Sequence, residues 1–255
     1  MSHLLSSGRF VQLLVLCLFT ACSFIFTSRH KKAGGFEIRP LPAVQALTEA
    51  VGRATEVGRP VHFTFGSGSL DAQTFAGFSV LAEVAGLCAR YNCRLIVSNA
   101  LAAVHPASEE IVRQAYANAG TREAYNPSNV RFLGGGSYNA AVIGTLEREH
   151  VAASIMVGSL FYESVLFIEA AERVGAIQIG GTMNTHQLPF VAAGCDYSLV
   201  GAEMFAASAY LSKDPVQVGW LMSEEVCKVL ALTAIAVGAA LASLGSTVLT
   251  RILRA

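Results

Sequence analysis

Residues 152–182 read AASIMVGSLFYESVLFIEAAERVGAIQIGGT. Ala152–Val157 is a short apolar run closed by Gly158-Ser159, which predicts a strand and a turn. A helix follows over about 160–174. Gly175 restarts the chain, and Ala176–Ile179 is again strand-like and apolar. Strand, helix and strand within so few residues make a βαβ unit, whose two strands run parallel.

The same alternation extends on both sides. Val61–Phe65 predicts a strand ending at Gly66-Ser67-Gly68. A helix over about 71–90 then places Phe75, Phe78, Leu81, Ala85 and Cys88 on one face. Arg94–Val97 predicts the second strand. Ser108 reads as a helix cap with Glu109 and Glu110 in the first turn, and Gly120 as the stop. Val130–Leu133 is the third strand, followed by Gly134–Gly136 and a helix over about 137–149. After the opening stretch come an irregular or helical piece at 185–193, a strand at 196–200 and a helix at 202–211. The strands lack polar alternation, as in sheets covered on both faces. The fold class expected is α/β, with a mostly parallel, six-stranded, Rossmann-like sheet between helical layers.

Composition points to a membrane. Among 255 residues, 53% are hydrophobic, only 14% are charged, and mean hydropathy is +0.49. Eighteen basic residues balance eighteen acidic ones. A disordered chain is excluded, and a nucleic-acid partner is not expected without a basic excess. Residues 44–214 carry ten basic and fifteen acidic residues, and the remainder eight and three. The basic excess flanks two uncharged runs, Phe10–Phe26 and Val229–Leu249. The second is long enough for a bilayer core of about 30 Å, and the first, seventeen residues, stands at the lower limit, with Thr27 and Ser28 able to extend it. A lipoprotein site at Cys22 and a cleaved signal are rivals for the first run. The apolar residues Ser23–Phe26 continuing past Cys22 argue against the former.

The expected organisation is a transmembrane helix at 10–28, a basic linker at 29–43, an α/β domain at 44–214 and a second transmembrane helix at 226–250. The expected location is the cell membrane, spanned twice. Arg29, Lys31, Lys32, Arg39 and Lys228 outnumber Arg9, Arg251 and Arg254, so the positive-inside rule places the domain in the cytoplasm. Three domain thiols, Cys88, Cys93 and Cys195, fit a reducing compartment and read as free. Gly238, Ala242 and Gly245 offer a small-residue surface for helix contact in lipid. The partners expected are therefore the lipid bilayer and further copies of the chain or other membrane proteins.

Several segments resemble a prokaryotic family of membrane-anchored α/β proteins of unknown function. They are Gly175–Thr182, Gln187–Phe190, Cys195–Glu203 and Ala206–Ser212, joined by Gly58–Thr64 and Asn129–Leu133. The resemblance covers roughly residues 40–215. It implies the fold and the anchoring, and it transfers no catalytic residue.

In parallel sheets, ligands bind beyond the carboxyl ends of the strands. There the sequence places Gly66, Ser67, Gly68, Asn99, Gly135, Gly136, Ser137, Asn139 and Thr182, the candidate ligand-binding residues. Small residues permit close backbone approach, and helix N-termini attract anions; equally, tight turns require Gly and Ser for their own geometry. A dinucleotide fingerprint fails, because Asp71 stands where a third Gly belongs and Ser98-Asn99 replaces the ribose-binding acid. No P-loop is present. Ser67 is not in a GxSxG elbow, and no histidine pair or Cys-x2-Cys has metal-ligand spacing, so no metal site is assigned and the cofactor stays unknown. Glu163 and His186 are the candidate catalytic residues, with Asp196 and Glu203 behind them, as acid, base or metal ligand; equally, Glu163 and Glu203 complement helix dipoles and His186 braces its loop. Two functions remain: a self-associating membrane scaffold, and a tethered small-ligand or phosphate-binding domain or enzyme.

Overall fold

The computed structural model describes residues 10–33 and 41–243. The chain forms two compact units, Ile38–Ser212 and a second made of Met1–Glu37 with Lys213–Ala255.

The larger unit runs α2 (Pro42–Glu56), β1 (Val61–Thr64), α3 (Ala72–Tyr91), β2 (Leu95–Asn99), α4 (His105–Asn118), β3 (Val130–Phe132), α5 (Tyr138–Arg148), β4 (Ala153–Val157), α6 (Glu163–Arg173), β5 (Ile177–Thr182), α7 (Leu188–Gly194), β6 (Tyr197–Val200) and α8 (Ala202–Ser212). The sheet order is β3-β2-β1-β4-β5-β6, and every neighbouring pair is parallel. This is the strand order of the dinucleotide-binding fold. Phe63 of β1 lies opposite Val97 of β2 and Ile155 of β4, and all three are fully buried. Helices α2, α3, α4 and α8 share one hydrophobic core, and α5, α6 and α7 form the other. The α/β reading with six strands therefore holds, and the sheet is parallel throughout rather than mostly so.

Three local expectations need correction. Helix α4 begins at His105, three residues before Ser108, with Pro106 in its first turn. Proline is at home there because its missing N–H is one the first turn cannot use. Ser108 is buried, and its hydroxyl donates to the His105 carbonyl at 2.8 Å, so it braces the turn rather than capping it. Secondly, α2 occupies a stretch for which no element is expected. Val44, Leu47, Ala50, Val51 and Ala54 form its buried stripe at helical spacing. Thirdly, β5 runs on beyond Ile179 through Gly180 and Gly181 to Thr182. A Cβ on Gly180 would sit 2.6 Å from both Cys195 Sγ and Val191 Cγ1, so glycine lets α7 and the start of β6 close on β5.

In the smaller unit, α1 (Phe10–Ala33) and α9 (Pro215–Ser243) pack along one another. Helix α1 continues through the basic cluster Arg29–Lys32, so its first part is not linker. Residues 34–40 of the expected linker and Gly245 lie outside the described residues. The close approach is at Gly219, where a Cβ would collide with Thr27 Oγ1 and lie 2.8 Å from its backbone nitrogen. Ser23 and Ser223 are buried nearby in sequence. By length and composition, one helix among the described residues could cross a membrane, Ala72–Tyr91, and 56% of that window is buried in the protein core. Val15–Arg29 is a shorter apolar helix.

Candidate functional site

Parallel strands bring the candidate residues to one edge. The turn after β1 contains Gly66–Gly68, that after β2 begins at Asn99, and Gly135–Ser137 is a 3-10 turn opening α5. Thr182 ends β5. The chain reverses its direction of growth between β1 and β4, where a nucleotide crevice would open.

That crevice is filled by the protein itself. The Gly68 amide donates to the Ser159 carbonyl at 2.9 Å. A Cβ on Gly66 would lie 2.7 Å from Leu160 Cδ2 and from the Ser159 carbonyl oxygen. A Cβ on Gly68 would meet Ser159 Oγ and stand 2.5 Å from Ser159 Cβ. Gly158 adopts φ +155°, with the Phe65 carbonyl oxygen 2.5 Å from a built Cβ. These glycines therefore serve loop-on-loop packing.

Glu163 fastens the same loops. It is fully buried at the start of α6, and Oε1 accepts from Ser67 N at 2.8 Å and Phe161 N at 3.1 Å. One carboxylate thus satisfies an amide from each loop, in the place where a helix N-terminus favours negative charge. Its Oε2 is buried without a protein partner. Asp71 does the corresponding work for α3, accepting from Gln73 N at 2.9 Å and Thr74 N at 3.2 Å. Glu203 accepts from Val200 N at 3.2 Å at the start of α8. Three helix N-termini that would receive an anion already hold one of the protein's own carboxylates.

Further bonds tie in β5. Gln73 Oε1 accepts from Thr182 Oγ1 at 3.0 Å and Met183 N at 2.6 Å. Asn184 Nδ2 donates to the Leu160 carbonyl at 3.0 Å, and Ser164 Oγ to Gln187 Oε1 at 2.9 Å. His186 is exposed in this loop, and its backbone nitrogen donates to Asn184 Oδ1 at 3.3 Å. Glu163 is sealed and His186 faces solvent, so the fold does not join them as an acid–base pair. Asp196 lies at the opposite edge, where Oδ2 accepts from Gln178 N at 2.8 Å.

On the β2 side, Asn99 is buried, with Nδ2 3.4 Å from His105 Nδ1 and Oδ1 lacking a partner. It borders a cavity of about 10 Å³ with Phe65, Gly66, Thr74 and Leu101, room for one water. Asn139 Nδ2 donates to Tyr162 Oη at 3.2 Å.

Sequence reading missed a buried polar chain under this edge. His62 Nε2 lies 3.0 Å from Ser98 Oγ, Thr64 Oγ1 donates to the Ser98 carbonyl at 3.0 Å, and Tyr138 Oη lies 2.5 Å from Thr64 Oγ1. A signal did exist: His62 and Thr64 are two apart, hence on one sheet face, and Thr64 pairs with Ser98 in register. Burial, and then the Arg131 charge, hold the His62 imidazole down at about 3, so it is neutral. Burial raises the Tyr138 phenol, and the Glu163 charge adds to this.

Among the described residues, no cluster of His, Cys, Asp and Glu could hold a metal. All six cysteines are free thiols. No curated protein and no solved structure matches the chain. Its family is nevertheless defined: a family model matches residues 1–253, and the chain belongs to the family described as "Domain of unknown function (DUF6754)".

Proposed function

We propose that this protein is a membrane-anchored, self-associating scaffold. Helices α1 and α9 form a two-pass anchor, and the α/β domain lies in the cytoplasm. The observation that carries the reading is broad apolar exposure on both helices away from their shared contact. Leu13, Val15, Leu16, Leu18, Phe24 and Ile25 are 38–75% exposed in α1, and Val229, Leu230, Leu232, Ile235 and Val237 are 46–67% exposed in α9. At about 100° per residue these positions spread around each helix, whereas a surface helix of a soluble protein keeps one polar face. Burying them in lipid is worth on the order of 10 kcal/mol at about 1 kcal/mol per half-exposed side chain.

The scaffold part rests on the closed carboxyl edge, which turns a site for ligands into a rigid surface. A small-ligand or phosphate site at Gly66–Gly68, Asn99, Gly135–Ser137, Asn139 and Thr182 is the second reading. The observations favouring it are the unpartnered Asn99 Oδ1, beside a cavity that fits a single water, and the unpartnered Glu163 Oε2.

Carbonate extraction tests the anchoring, and thiol labelling in sealed vesicles tests its topology. Cysteines introduced near both termini are expected on the side of the membrane opposite to one at residue 122. Finding all three on one side refutes two spans. Native mass spectrometry of the detergent-purified chain tests self-association and would reveal a retained ligand.

A further inference from the structure

We propose that the carboxyl-edge face of the α/β domain docks against the same face of a second copy of this chain. This deepens the scaffold reading and rests on it. The face is set apart by where the domain leaves apolar side chains in solvent. Among the described residues of this unit, twelve large apolar residues are exposed, and only Val57, Tyr91 and Tyr210 lie away from the strands' carboxyl ends. The other nine crowd that edge, with Phe75 at 58%, Tyr162 at 68% and Phe190 at 51% exposure.

Helix α6 shows the division within one element. Its exposed residues are Val165 and Leu166 in the first turn, then Glu169, Glu172 and Arg173 towards the other end. Solvation alone would not make one end of an exposed stripe apolar. The nine residues together expose the equivalent of a little over four whole side chains. At roughly 200 Å² each this is about 800 Å², which matches the area one partner contributes to a standard interface.

Charge selects the occupant. Among the described residues, no Lys or Arg stands in a turn leaving a strand or in the first turn of the helix after it. Arginines gather at the other edge: Arg53, Arg90, Arg148 and Arg173 in last helical turns, Arg59 and Arg94 ahead of strands. A face without cations offers nothing to anionic headgroups, phosphopeptides or nucleic acid. Of the acids on this face, Glu163 is fully buried, and Asp71 and Glu203 each accept a backbone amide at a helix N-terminus, whose partial positive charge offsets part of their repulsion between two copies. The loops are also braced in advance by Glu163, Gln73 and Asn184, which limits the ordering cost of association. Tethering in one bilayer raises the effective concentration further.

The test uses the full chain in lipid nanodiscs, with p-benzoylphenylalanine placed at Tyr162, at Phe190 and, as control, at Tyr91. Irradiation is expected to give a covalent dimer from the first two positions and none from the third. Tyr162→Arg with Leu166→Arg is expected to lower the Phe190 cross-link at least tenfold while Cys88 stays protected from alkylation. Lipid adducts or other proteins at Tyr162 and Phe190, or equal dimer yield from Tyr91, overturn the proposal. An oligomer in native mass spectra that the double substitution leaves intact removes this face but keeps self-association. Absence of any oligomer removes both.

Discussion

Replacing Glu163 with alanine tests the closed edge most directly. The carboxylate is fully buried and accepts from Ser67 N and Phe161 N, one amide on each of the two packed loops. Bonds to a charged acceptor contribute about 1.5–3 kcal/mol each, so losing both in Glu163→Ala should cost about 3–6 kcal/mol. Glu163→Gln keeps an acceptor oxygen at the same reach. Neutral bonds of about 0.5–1.5 kcal/mol then remain, and the loss should be about half as large. Cys88 is fully buried in α3, and its alkylation during a short pulse reports opening of the α/β domain in the intact chain. With every 1.4 kcal/mol worth about tenfold, the alanine variant should expose Cys88 at least a hundredfold more readily in moderate urea. An alanine variant within about 1 kcal/mol of the parent would mean that the carboxylate does not hold the loops. The orphaned Oε2 would then become the more informative oxygen, because an unpaired buried charge kept without structural benefit points to chemistry.

Gly158→Ala should destabilise the domain by about 3 kcal/mol or more, because its Cβ would press on the Phe65 carbonyl, whereas Gly201→Ala, at φ +61° in open space, should cost only about 1–2 kcal/mol. Equal effects in the Cys88 assay would contradict the packing account. His62 titrates near 3 in the fold and near 6.5 unfolded, so its contribution is present above about pH 6.5 and is lost as pH falls towards 3. Between pH 7 and 5 this amounts to about 2 kcal/mol, and His62→Gln should flatten that slope; an unchanged slope would assign the acid lability elsewhere. Gly219→Leu should force Thr27 away, shift the emission of Trp220, the one tryptophan, and leave Cys88 protection unaltered. An unshifted spectrum would show that α1 and α9 do not meet there.

The alternation of apolar runs with Gly-rich turns sufficed for the parallel α/β sheet, because hydrophobic period and turn chemistry are local properties of the chain. Parallel strands then had to deliver Gly66, Asn99, Gly135 and Thr182 to one edge. Local pattern could not say whether those glycines opened a pocket or closed one. That depended on Ser159 and Leu160, some ninety residues away along the chain, seating on Gly66 and Gly68. Glu163 was legible as an acid at a helix start, but its second amide comes from Ser67, and only tertiary contact supplies it. Helix α2 was hidden because it opens on Pro42 and its buried stripe mixes small alanines with Val44, Leu47 and Val51, so its small residues gain value only against the sheet. The two uncharged runs were plain from composition, since membrane-like apolarity needs no partner to be read. The sequence alone thus determined the strands, the helices between them and the direction in which they run, through interactions within a few residues, but not α2. The tertiary structure decided that the carboxyl edge is sealed and apolar, because sealing requires distant loops to share hydrogen bonds and van der Waals contact.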